Sequence, residues 1–137
     1  DDEKFTALFA EDAWIKVPEQ PPFKGHQAIA AGIKQMRALG LTYRHVMTNT
    51  VVDAIDDTHA EGLCYLMAFN SAAPADAHGA RPMEMATTLG EYKDTFVKTE
   101  AGWRFQSITV NVTHTNRLDT QPETPITQEA TAWSIRP

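Results

Sequence analysis

Residues 41–55, LTYRHVMTNTVVDAI, decide how this chain is built. In the preceding HQAIAAGIKQMRALG (26–40), Ile29, Ile33, Met36 and Leu39 recur every three to four residues, the spacing of one helix face, and Gly40 is placed to end it. From Leu41 the period becomes two and β-branched residues dominate, so the chain passes from helix to strand at this point.

Working outward, DDTH (56–59) reads as a turn and AEGLCYLMAFN (60–70) as the strand that pairs back, making an antiparallel hairpin. SAAPADAHGARP (71–82) is a loop of small residues, followed by a long strand at 83–99, the turn EAG, and a strand at 103–115. Toward the N-terminus, PEQPPFKG (18–25) interrupts regular structure with three prolines. DDEKFTALFAEDAWIKV (1–17) has Phe5, Leu8, Phe9 and Ala13 at helical spacing, which predicts a helix running into a short extended segment at Trp14–Val17. Two helices followed by a four-strand meander make an α+β domain over residues 1–115. Residues 116–137 are polar and rich in Thr and Pro, and Trp133 and Ile135 suit them to pack on the pocket or on a neighbouring subunit.

Composition narrows the partners. With 42% hydrophobic and 22% charged residues the chain is ordinary for a globular domain, and no apolar run approaches a membrane span. The expectation is a cytoplasmic protein with no membrane partner. A net charge of −6, with twelve scattered Lys and Arg, leaves no basic stripe for nucleic acid. Cys64 is the single cysteine and lies in an apolar run, as a small buried hydrophobe would. The five histidines show neither HExxH nor CxxC-type spacing, so neither a metal nor another cofactor is expected.

On a regular strand His45, Met47, Asn49, Val51 and Asp53 share one face. On 83–99 the matching set is Glu84, Ala86, Thr88, Gly90, Tyr92, Asp94 and Phe96, with Gly90 allowing a bend or a close backbone approach. A curved sheet under a helix would gather such residues around a ligand. His45 has the intrinsic pKa of a base that can take and return a proton near neutrality, and Tyr92 is a phenol that can donate to a substrate oxygen. His45, Tyr92 and Asp94 are the candidate catalytic residues. Asn49, Met47, Trp14, Phe69, Phe96 and Asn111 are the candidate substrate contacts. The bland alternative is a hydrogen-bonded structural histidine in an ordinary strand, with Trp14 and Trp103 as core. His26 belongs near the start of the second helix rather than in a site, and His59 and His78 fall in turns.

The segments ALFAEDAW, FKGHQAIAAGI, RHVMTNTVVDAIDDTHAEGLCYL and GEYKDTFVKTEAGWRF, in that order, resemble the SnoaL-like family of the nuclear transport factor two-like superfamily over most of residues 1–115. The resemblance implies a cone-shaped α+β barrel, a curved antiparallel sheet wrapped around N-terminal helices, in a homodimer or homotrimer. Similar members include scytalone dehydratase, hexachlorocyclohexane dehydrochlorinase and polyketide cyclases. It also implies a general-base histidine at the position of His45. The aspartate that orients that histidine would align a few positions before Asp1, so either the start of that helix lies upstream of this sequence, or Asp1 or Asp2 substitutes for it, or there is no dyad. The function so implied is a lyase or isomerase, of dehydratase or cyclase type, acting on a small, mostly apolar cyclic molecule. The alternative is a non-catalytic ligand-binding or assembly module resembling the small subunit of ring-hydroxylating dioxygenases.

Overall fold

In a computed structural model the described residues are 2–82 and 88–115. They form α1 (Asp2–Thr6), β1 (Phe9–Lys16), β2 (Phe23–Lys24), α2 (Gly25–Ala38), β3 (Thr42–Ala54), β4 (His59–Ser71), β5 (Thr88–Thr99) and β6 (Gly102–Thr115). The helix expected at 26–40 and the hairpin and meander after it are present. Gly40 has φ +69 and donates its N–H to the Arg37 carbonyl, the left-handed stop that a helix C-terminus favours. The N-terminal part of the strand expected at 83–99 and the segment 116–137 lie outside the described residues.

The first helix is much shorter than its spacing predicts. It stops at Thr6, and Phe9–Lys16 is a strand parallel to β6, with Phe9 in register with Phe105 and Ile15 with Ile108. Tertiary burial overrides local periodicity here: as a strand this segment buries Phe9, Ala10 and Ala13 together against Ile29 of α2. Between Phe9 and Trp14 the ladder with β6 loses register, and of the residues at helical spacing Ala13 falls in that stretch.

The result is one open, curved sheet in the order β2-β1-β6-β5-β4-β3, antiparallel except at β1–β6, with β2 and β3 as its edges. Below it runs an aromatic chain: Phe5 to Phe9 at 5.3 Å, Phe9 to Phe105 at 5.5 Å and Phe105 to Phe96 at 4.9 Å between ring centroids. Gly32 lets α2 approach closely, since a Cβ there would sit 3.0 Å from the Phe23 ring. An Arg37–Asp2 ion pair ties α2 to α1. His26, in the first turn of α2, donates from Nε2 to the Phe9 carbonyl at 3.0 Å, a structural role at the helix start as expected. Trp103 is not core: it is 46% exposed, with the Lys98 ammonium 6.0 Å from its ring centroid. Among the described residues, no helix is long and apolar enough to cross a membrane.

Candidate active site

Directly paired residues of an antiparallel ladder project to the same face, so the register defines the site. On β4 the buried residues are Ala60, Cys64, Leu66 and Ala68, and their side defines the inner face. Ala68 pairs with His45 and Thr88, Leu66 with Met47 and Gly90, Cys64 with Tyr92, Gly62 with Asp94, and Ala60 with Phe96. His45, Met47, Tyr92, Asp94 and Phe96 therefore share one surface. Of the small residues opposite them, Gly62 is covered by the Phe96 ring, which lies 2.9 Å from where a Cβ would stand.

Tyr92 spans that surface diagonally. Its Oη lies 2.8 Å from His45 Nδ1, with the two rings 6.2 Å apart and tilted by 45°. One group donates and the other accepts, according to the imidazole tautomer. Burial raises the Tyr92 pKa to about 12, with the Asp94 carboxylate and Cys64 acting in the same direction, so the phenol keeps its proton at any physiological pH. Asp94 is half-buried, its Oδ1 is enclosed without a hydrogen-bond partner among the described residues, and burial pushes its pKa up to about 6. Asn70 Oδ1, near the end of β4, is the other enclosed acceptor without a partner among the described residues. Desolvation also lowers the His45 pKa from its ordinary 6.5, although the residue as a whole remains in contact with solvent at the sheet edge. A neutral imidazole, a neutral phenol and a carboxyl that titrates near pH 6 thus occupy one face.

Several expected contacts are not on that face. In β3 the three-residue step from Thr48 to Val51 opposes the two-residue step from Tyr65 to Leu63, a bulge with Asn49 at φ 52. Beyond it the faces exchange: Val52 and Ala54 pair with the inner Gly62 and Ala60, while Val51 and Asp53 turn outward. Asn49 is exposed in the bulge with no ladder partner, so alternation does not set it beside His45. Phe69 pairs with Arg44, one step from the Ala68–His45 pair, and so faces outward. Asn111 pairs with Glu91 on the outer face, because Val110 and Val112 take the inner positions opposite Tyr92 and Gly90. Trp14 aligns with Ser107, the partner of Thr95, away from Asp94. Asp2, a possible orienting carboxylate, is engaged by Arg37, and Tyr92 is the side chain that meets His45. Sequence reasoning left out Cys64 and Leu66 as walls of the site. The period-two alternation of β4 was the signal, since it puts both opposite the strand that carries Tyr92.

Gly90 is required by a close approach. A Cβ there would lie 2.3 Å from the Asn111 carbonyl oxygen, where a bulge in β6 presses the two backbones together. Among the described residues no group of three or more His, Cys, Asp or Glu is placed to hold a metal ion.

Solved structures with this fold include Aln2 from a Streptomyces species, 24% identical with a TM-score of 0.65 over 82% of this chain and 76% of that one. A candidate scytalone dehydratase from Novosphingobium aromaticivorans is 22% identical with a TM-score of 0.70, over 93% of this chain and 80% of its own. An NTF2-like protein with a cystatin-like fold from the same species is 24% identical with a TM-score of 0.64, over 88% and 71%. No curated protein matches the chain. The SnoaL-like domain model matches residues 1–109, four-fifths of the sequence, and with the α+β architecture it places this chain in the SnoaL-like family of the NTF2-like superfamily.

Proposed function

We propose that the protein is a cofactor-independent lyase or isomerase, acting on a small, mostly apolar cyclic substrate by proton abstraction at His45. The observation that carries this reading is the 2.8 Å contact between Tyr92 and His45 Nδ1, with the Asp94 carboxyl on the same face and its Oδ1 without a partner among the described residues. In the productive tautomer His45 Nδ1–H donates to Tyr92 Oη, which leaves the Nε2 lone pair free as the base. Tyr92 then directs its own O–H toward the substrate oxygen that gains charge. His45 takes a proton from carbon beside a carbonyl or leaving group, and the electron pair moves to the oxygen or expels the leaving group. Asp94, protonated below about pH 6, supplies a proton to the departing or rearranging oxygen. The base is competent above its lowered pKa and the acid below about 6, so activity centres on mildly acidic pH.

Deuterium incorporation next to the carbonyl of cyclic ketones in D₂O tests the reading without knowing the substrate. The wild-type chain should accelerate exchange, and His45→Gln should lower it by on the order of 10²–10⁴-fold. Exchange equal in the two proteins would remove His45 as the base.

A second reading has its own observation. On the outer face Val46, Met67 and Leu89 lie in one row across three strands, at 42%, 36% and 40% exposure. A row of this kind suits association with another copy, in a dimer or trimer, and an assembly module would use that face without needing His45.

A further inference from the structure

A groove of about 580 Å³ opens where β3 begins and β4 ends, lined by Thr42, Arg44, Phe69, Ser71 and Arg81 under the turn at Gly79. The pairs Thr42–Ser71 and Arg44–Phe69 put those strand residues on the outer face, with the sheet between them and His45. Asn70, which also lines the groove, pairs with Tyr43 on the His45 side, so the groove sits at the strand ends, mainly on the outer face and away from Tyr92 and Asp94. Its volume is that of a small-molecule site, which spans ~300–1,000 Å³.

The loop over the groove is shaped by its own hydrogen bonds. The Asp76 carboxylate accepts from the His78 and Ala80 amides at 2.9 and 2.8 Å, the Asp76 amide donates to the Ala80 carbonyl at 2.7 Å, and the Gly79 amide donates to the Asp76 carbonyl at 3.0 Å. This closed turn delivers Arg81 to the groove, where Nη1 also donates to the Ala73 carbonyl. From the strand side, Arg44 Nη1 donates to the Tyr43 carbonyl at 2.9 Å. Each guanidinium has five N–H donors, so both keep several for a ligand. Among the described residues none that lines the groove is acidic, and two arginines around one groove stand out in a chain of net charge −6. Phe69 supplies an aromatic surface in the same groove.

We propose that this groove is a second binding site, for a small, flat organic acid whose carboxylate is held by Arg44 and Arg81 and whose apolar body rests on Phe69. Planar arginine forks suit a carboxylate, and the half-buried ring gives the remaining contact. NMR titration of the full chain with 2-naphthoate and 2-naphthol tests it. Saturable naphthoate binding is expected to shift the Phe69, Ser71 and Gly79 amides and leave the His45 imidazole unchanged. Naphthol, with the ring but no carboxylate, should bind at least ten-fold more weakly. Arg44→Ala with Arg81→Ala should cost naphthoate a similar factor at unchanged thermal stability, because both side chains are exposed. The affinity should also fall as salt rises from about 0.05 to 0.5 M. Absence of binding, equal binding of naphthol, indifference to the double substitution, or shifts concentrated at His45 and Tyr92 would each overturn the proposal.

Discussion

Strands β3 and β5 flank the same strand, β4, yet only β5 keeps its alternation against it. From Ala68–Thr88 to His59–Val97 the β4–β5 ladder runs without a slip, whereas β3 gains a residue between Thr48 and Val51. The difference follows from surroundings. From Glu91 to Val97 every residue of β5 is at least partly buried, and it is paired on both edges, so a one-residue slip would carry Tyr92, Asp94 and Phe96 to the wrong face. β3 is an edge strand, exposed from Arg44 to Ala54, and an edge can absorb an extra residue at low cost. Period-two reasoning therefore holds along β5 against β4, whereas β6, also paired on both edges, takes up the extra residues opposite Leu89–Gly90 and Thr95–Phe96.

The most severe way to break this contrast is to disturb β5 itself. Gly90→Ala drives a methyl into the Asn111 backbone, which cannot retreat without parting β5 from β6. A loss of about 3 kcal/mol or more is expected in urea unfolding. A loss below about 1 kcal/mol would mean that the two strands are less tightly held than the contact requires.

Asp94 sharpens the contrast through pH. Its pKa in the folded chain, about 6, lies above the ordinary 3.8, so the folded state holds the proton more tightly. Its contribution to stability is full below about pH 4 and is lost as pH rises through 6. Asp94→Asn should therefore match the wild type at about pH 4 and exceed it at about pH 7, by roughly 1–2 kcal/mol after allowance for residual solvent contact. Thermal unfolding at the two pH values checks this, and equal differences at both would show that the carboxyl is not desolvated.

The smallest expected effect tests β3. Asn49 at φ 52 adopts a left-handed backbone that asparagine tolerates and a β-branched residue does not. Asn49→Val should cost about 1 kcal/mol, although valine is the better residue for a regular strand. A stabilising Asn49→Val in chemical denaturation would indicate that β3 runs without the bulge.

Much of this arrangement was legible in the sequence, for reasons of the same kind. The change of period at Leu41 marks the helix-to-strand passage, and alternation in β5 brings Tyr92, Asp94 and Phe96 to one face. Non-local effects were hidden. Phe9–Lys16 becomes a strand because β6, far along the chain, offers it a parallel partner. Phe69, Asn111 and Trp14 were sought at the site, but their faces depend on the ladder partners each acquires. The meeting of His45 with Tyr92 crosses the sheet diagonally over 47 residues of chain, a geometry no local pattern encodes. The orienting aspartate that the resemblance implies aligns upstream of Asp1, outside the described residues; among those described, the Tyr92 phenol meets His45 at Nδ1.

The central claim, that Tyr92 fixes His45 as a neutral base, is tested most directly by ¹⁵N NMR of the His45 imidazole across pH, in the wild type and in Tyr92→Phe. His45 should show a pKa below the ordinary 6.5 and a neutral ring protonated at Nδ1, with that tautomeric preference lost in Tyr92→Phe. A neutral ring protonated at Nε2 and indifferent to Tyr92→Phe would contradict it.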